Sequence, residues 1–93
     1  MDGLKTPLYE KHIALKGNMV LFGGYLLPTH YTSINHEHLA VRSKAGLFDV
    51  SHMGQFIVSG SDAEIFLQQI TINDVSNLKE GQAQYTAMCY EDG

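Results

Sequence analysis

The spacing of apolar and polar residues predicts two helices in the first half of the chain, with a buried strand and a tight turn between them. Thr6-Pro7 begins a weakly amphipathic stretch of about three turns, with Thr6 as the expected cap. The apolar run 19–22 predicts a buried strand that turns at Gly23-Gly24. Residues 26–28 are then extended, and Ser33 is placed to cap a helix over 34–45.

The second half alternates short apolar segments with turn residues. Its pattern predicts strands over 47–51, 55–59 and 84–90. Between them, Ser61 and Glu64 have the spacing of a capping box ahead of a helix that ends near Ile70. These elements indicate an α+β fold, in which helices pack on a mostly antiparallel sheet.

Composition and charge narrow the class of protein. The chain has 93 residues, a hydrophobic share of 44% and a formal net charge of −4, as expected of one small domain or of part of a larger one. The basic residues are scattered, which argues against nucleic-acid binding. The single cysteine, Cys89, lies in an apolar run and predicts core packing and a reducing compartment. The sequence shows no apolar segment of membrane length, no signal peptide and no transit segment, and we therefore expect a cytoplasmic, bacterial protein.

The histidines and glycines do not form a recognisable metal or nucleotide site. His36 and His38 point to different faces of a helix, whereas a zinc pair needs a separation of four residues. The glycines never assemble a phosphate-binding loop, and His12 is expected at the surface or at its boundary. We therefore predict no metal site.

The most informative segment is 48–54, Phe-Asp-Val-Ser-His-Met-Gly. It places the carboxylate of Asp49, the imidazole of His52 and the thioether of Met53 together at the end of an apolar strand. Polar groups removed from water need partners, so this composition favours a functional site. A strand end whose polar side chains cap a turn accounts for the same residues, and the pattern leaves both interpretations open.

With that segment, the chain resembles the aminomethyltransferase (T-protein) family of the glycine cleavage system. The resemblance runs from end to end and corresponds to the amino-terminal quarter of that family's proteins. It is carried by residues 6–10, Met19-Val20, Pro28, Tyr31, Glu37 to Arg42, Leu47 to Gly54, Asn73-Asp74, Gly81 and Tyr85.

The resemblance implies a folate-dependent transferase. Such a protein takes the aminomethyl group from the lipoyl arm of the H protein, releases ammonia and transfers the one-carbon unit to tetrahydrofolate. By the same resemblance, Met53 and Tyr85 line the folate pocket, while Asp49 and His52 support the loop that presents Met53. Tyr25 stands where many members have tryptophan, and it keeps an aromatic wall beside the pocket.

The resemblance also implies that residues 1–93 are the amino-terminal part of a folate-binding domain, with a possible sub-boundary near 54–60. The family's catalytic aspartate is expected after the Asp92-Gly93 turn, so the 93 residues contain no catalytic residue and are predicted to be inactive alone. They are also expected to self-associate through the unpaired edge of the strand over 84–90.

Two other classes remain as alternatives. One is a non-catalytic folate-binding module of the iron–sulphur assembly type, and the other is a module of a sarcosine- or dimethylglycine-oxidising enzyme. The complete motif at 49–53 favours the transferase over the first, and the start at Met1 argues against the second.

Overall fold

The computed structural model describes residues 2–93 and divides into two compact units. The first unit ends at Gln55, and the second runs from Phe56 to Gly93. Helices and a small sheet occur together, which confirms the α+β class. No helix in residues 2–93 is long and apolar enough to cross a membrane.

A three-stranded sheet forms the centre of the first unit. Its strands are β1 (Leu4–Lys5), β2 (Met19–Phe22) and β3 (Tyr25–Pro28), in the order β1-β3-β2. Strand β3 pairs antiparallel with β2 along its whole length and parallel with β1 over two residues. The central position of β3 explains why Leu26 and Leu27 are the buried apolar residues of the described chain.

The predicted turn at Gly23-Gly24 is confirmed. Phe22 pairs with Tyr25, so only the two glycines connect β2 to β3. Their φ angles are 57° and 84°, values that side-chain-bearing residues rarely adopt and that a tight two-residue hairpin requires. The glycine pair therefore sets the register of the hairpin.

Helix α1 (Tyr9–Ala14) begins later than predicted, and Thr6 is not its side-chain cap. The carbonyl of Thr6 accepts a hydrogen bond from the Tyr9 N–H, but its hydroxyl donates to Asp49. The left-handed residue after the helix is Lys16, with φ of 59°. Gly17 is needed for space, since a Cβ there would lie 3.0 Å from Pro28.

Helix α2 (Ile34–Ser43) is close to its predicted range, and Ser33 caps it by accepting from the His36 N–H. Glu37 adds a second cap, because its carboxylate accepts from the backbone N–H groups of Tyr31, Thr32 and Ser33 at 3.0–3.1 Å. The turn that leads from β3 into α2 is thus held by one side chain.

The second unit is built around α3 (Ala63–Ile70) and a 3-10 turn at Val75–Asn77. Helix α3 is confirmed, but the predicted capping box does not form, since Asp62 occupies the cap position and no side chain bonds there. Asp74 caps the 3-10 turn and also accepts from Gln68. One antiparallel bridge joins Thr71 to Met88.

The strands predicted over 47–51, 55–59 and 84–90 are not formed as regular strands within residues 2–93. A strand is stable only when neighbouring backbone accepts its hydrogen bonds, and the described residues offer these segments a single bridge. Their apolar side chains stay exposed: Leu47 and Ile57 are both 100% accessible. Cys89 is exposed too, so its expected core packing is wrong.

Candidate functional site

A buried polar network joins distant parts of the first unit at Asp49. One carboxylate oxygen, Oδ2, lies 2.6 Å from the Thr6 hydroxyl and 2.7 Å from His12 Nε2. The other ring nitrogen of His12, Nδ1, lies 2.6 Å from the Tyr31 hydroxyl. The side chains of His12 and Asp49 are only 7% and 3% exposed, so solvent has little access to the bond between them.

The electrostatics of this network keep Asp49 ionised. Desolvation acts to raise the pKa of its carboxyl, but hydrogen bonds from Thr6, His12 and Ser51 outweigh it and hold that pKa well below its ordinary value. The pKa of Tyr31 is raised, first by desolvation and then by the negative charges of Asp49 and Glu37. Tyr31 therefore keeps its hydroxyl proton.

The same carboxylate orders the turn that follows it. Asp49 Oδ1 accepts from the Ser51 N–H at 3.0 Å, and the Met53 N–H donates to the Val50 carbonyl at 3.0 Å. This is the local turn that the polar side chains of residues 49–53 were suited to form. Asp49 thus serves both a long-range network and the turn that carries Met53.

His52 is held by aromatic side chains. Its ring meets Phe22 edge-on at a centroid distance of 5.5 Å and Tyr25 at 6.2 Å. Its Nδ1 atom is buried and has no hydrogen-bond partner. The contact explains how the hairpin end, where Phe22 and Tyr25 pair, reaches the turn of residues 49–53.

A cleft of about 800 Å³ opens in the first unit between the β2–β3 hairpin, α2 and the segment 45–50. Most of its lining is apolar, and the polar network of His12, Tyr31 and Asp49 lies at its surface together with Glu37 and His52. A space of this size with a few convergent polar groups is typical of small-molecule sites.

The structure brings together some of the predicted site residues. Tyr25 and His52 are in contact, and Asp49 lies three residues before His52 at the cleft. Met53 is 37% exposed and, like Tyr25, is not among the residues that line the cleft. Tyr85 belongs to the second unit, where its side chain is 81% exposed.

Three participants in the polar network were missed or misjudged from the sequence. His12 is 5% exposed, so the expected surface position is wrong, and Thr6 is also 5% exposed. One signal was available for His12, since it falls on the apolar stripe of the first predicted helix. Nothing local indicated that Thr6 and Tyr31 converge with it on Asp49.

No group of three His, Cys, Asp or Glu side chains in residues 2–93 is arranged to hold an ion. Glu37 lies between His36 and His38 in the sequence. Its carboxylate accepts hydrogen bonds from the backbone N–H groups of Tyr31, Thr32 and Ser33. Desolvation acts to raise the pKa of Glu37, but these bonds outweigh it and lower the pKa.

Comparison with known protein families places the chain in one of them. The profile of the GCVT N-terminal domain matches residues 8–93, so the chain belongs to the GCVT N-terminal domain family. The resemblance that the motif at 48–54 indicated is thereby confirmed.

Individual relatives agree with that assignment. The chain is similar to proteins named aminomethyltransferase from Bacillus licheniformis (57% identity), Halalkalibacterium halodurans (56%) and Thermus thermophilus (58%). Each alignment covers 96% of the chain. It spans only about a quarter of each relative's length, 24% for the first two and 26% for the third.

Proposed function

We propose that residues 1–93 contribute the first part of a tetrahydrofolate-dependent aminomethyltransferase of the glycine cleavage system. The supporting observation is identity of 55–58% to proteins named aminomethyltransferase over 96% of the chain. The H protein, as donor of the aminomethyl group, and a cytoplasmic location are parts of the same proposal. The names of these relatives favour the transferase over the folate-binding assembly module.

Within the first unit, the proposed folate contacts start from the hairpin end and the turn of residues 49–53. The edge-on packing of His52 against Phe22 and Tyr25 supports an aromatic wall suited to a planar heterocycle. Met53 lies next to that wall in sequence and has an accessible thioether. Tyr85 is proposed as a further folate contact, as the family resemblance implies.

The chemistry of the transfer gives these side chains a binding role. A reactive one-carbon intermediate benefits from a site that orients the acceptor nitrogen and excludes water. The thioether of Met53 carries no transferable proton, and the ring of Tyr25 can orient and shield a planar ligand. In line with the family resemblance, we assign no catalytic residue within the chain and propose that the catalytic carboxylate belongs to the part of the relatives' length that the chain does not span.

A chimera tests this proposal. Residues 1–93 replace the aligned quarter of the Thermus thermophilus relative, and the product is assayed for tetrahydrofolate-dependent ammonia release from aminomethylated H protein. We expect turnover by the chimera and none by the 93 residues alone. An inactive but folded chimera, or turnover by the 93 residues alone, would contradict the proposal.

Variants of the chimera test the binding roles. Met53→Ala and Tyr85→Ala are expected to raise KM for tetrahydrofolate about tenfold, as loss of one apolar contact of about 1.4 kcal/mol would. Leu8→Ala is the matched control, since Leu8 is a partly exposed apolar residue outside the proposed site. Equal KM values for the three variants would remove Met53 and Tyr85 from the folate site.

We also propose that the 93 residues self-associate in isolation. The segment 84–90 has one bridge to Thr71, and the side chains of Tyr85 and Tyr90 are 81% and 90% exposed. A segment with so little backbone pairing can form a strand with the same segment of a second copy. Sedimentation velocity should show a mass that rises with protein concentration, and a monomer at every concentration would refute the proposal.

A further inference from the structure

The polar network centred on Asp49 has a directed order of hydrogen bonds. The carboxylate is ionised, so Oδ2 only accepts, and both the Thr6 hydroxyl and His12 Nε2–H donate to it. In the neutral ring this leaves His12 Nδ1 as an acceptor, and the protonated Tyr31 hydroxyl donates to it. Every polar group of the network then has a partner.

The two carboxylate oxygens of Asp49 accept hydrogen bonds from different parts of the first unit. Oδ2 faces Thr6 and His12, which are 43 and 37 residues away in the sequence, while Oδ1 accepts from Ser51, two residues away. A shift of the carboxylate at one oxygen would therefore displace the bond at the other. The position of His12 on α1 is in this way coupled to the turn that carries Met53.

We propose that His12 is a positioning residue that, through Asp49, holds the turn of residues 49–53 and so presents Met53 to the folate. The second half of this statement rests on the proposed function. The first half concerns the chain alone. His12 does not touch the folate in this scheme, and its effect passes through the donation from Nε2 to Asp49.

Two substitutions separate this role from general packing. In His12→Gln the amide nitrogen occupies about the place of Nε2 and can still donate to Asp49, whereas in His12→Asn it occupies the place of Nδ1 and cannot reach. Both variants lose the ring, so both lose similar apolar contact. A difference in effect between His12→Gln and His12→Asn therefore measures the contribution of the hydrogen-bond donor to Asp49.

Amide hydrogen exchange in the 93-residue chain provides the first readout. We expect His12→Asn to raise exchange at the Ser51 and Met53 amides at least tenfold, and His12→Gln to raise it less than threefold. The Thr29 amide, which donates to the Asn18 carbonyl at the end of the hairpin, is the internal control and should change less than threefold in both variants. Equal effects of the two variants, or a parallel rise at Thr29, would overturn the proposal.

The chimera provides the second readout. His12→Asn is expected to raise KM for tetrahydrofolate about fivefold while kcat stays within twofold, and His12→Gln should restore KM. A fall in kcat at constant KM would overturn the link to folate binding. If the unsubstituted chimera is inactive, the proposed function fails, while the exchange experiment still decides whether His12 positions the turn.

If a His12 variant does not fold, a milder substitution in the same network provides a further test. Tyr31→Phe removes only the bond to His12 Nδ1 and leaves the bond from Nε2 to Asp49 intact. We expect less than a threefold rise in exchange at Ser51. A tenfold rise in this variant would show that the tyrosine, and not the donor to Asp49, holds the turn.

Discussion

Each of the two units has its own side-chain hydrogen bonds, and the bonds of the first unit span much longer stretches of sequence than those of the second. In the first, the network around Asp49 joins side chains that are 19, 37 and 43 residues apart. In the second, the side-chain bonds of Asp74 and Gln68 span at most 10 residues. Among the described residues 2–93, four are buried, and all of them belong to the first unit: Thr6, His12, Leu26 and Leu27.

This contrast shows what each unit relies on for stability. Contacts between residues far apart in sequence must offset the entropy lost when the intervening loop is closed. The buried hydrogen bonds to the ionised carboxylate of Asp49 are of a strong kind and contribute to this offset. Local caps and a short helix with exposed apolar residues, such as Phe66 at 53%, do not enclose a core. The first unit therefore has long-range side-chain bonds and a small buried centre, whereas α3 in the second unit has no buried residue.

The largest effect is expected from His12→Phe. The change keeps a ring of similar size, but it removes a donor from the buried carboxylate of Asp49 and the acceptor of Tyr31, at a cost of about 3 kcal/mol. Native-state hydrogen exchange at the Gly17 amide, which donates to the residue 12 carbonyl, measures the loss in the first unit. The Thr71 amide of the second unit should be unaffected, and a similar rise there would contradict the separation of the two units.

The next effect is a loss of first-unit stability in acid. Because the pKa of Asp49 in the folded chain is lowered, its contribution is fully present above its ordinary value of 3.8 and is lost as pH falls below it. Circular dichroism and exchange at Ser51 between pH 6 and about pH 2 follow this loss. The Asp49→Asn variant should be less stable at pH 6 and should show a flatter profile. An unchanged profile would show that another group governs the acid transition.

A smaller and local effect is expected from Asp74→Ala in the second unit. The carboxylate accepts from the Ser76 N–H, the Ser76 hydroxyl and Gln68, and these bonds lower its pKa. Because the group is exposed, its loss should raise exchange at the Leu78 amide about fivefold, as for one helix cap. Exchange at Ser51 should not change. A large rise at Ser51 would mean that the units are energetically coupled.

The smallest effect is expected from His52→Phe. The substitution preserves edge-on packing against Phe22 and Tyr25 and removes a buried Nδ1 atom that has no partner. First-unit stability should stay the same or rise by up to about 1 kcal/mol. The contrast with His12→Phe, an identical change, is the sharpest test. Equal losses would indicate that ring polarity matters at both positions.

The sequence alone was sufficient for elements that local chemistry specifies. Gly23-Gly24 predicts a tight turn because glycine adopts positive φ angles easily, and Ser33 predicts the start of α2 because a hydroxyl can cap it. The motif at 48–54 predicted the family, which the profile match confirms. Local patterns overpredicted strands, because strand formation depends on neighbours that residues 47–59 do not have among the described residues.

Only the tertiary structure assigned a partner to each polar side chain. Thr6 looked like a helix cap and His12 like a surface residue, yet both donate to Asp49 in a buried site. Turns and caps are decided within a few residues, so the order of amino acids encodes them directly. A bond across 37 or 43 residues depends on how the hairpin and both helices pack, and no local pattern of apolar and polar positions carries that information.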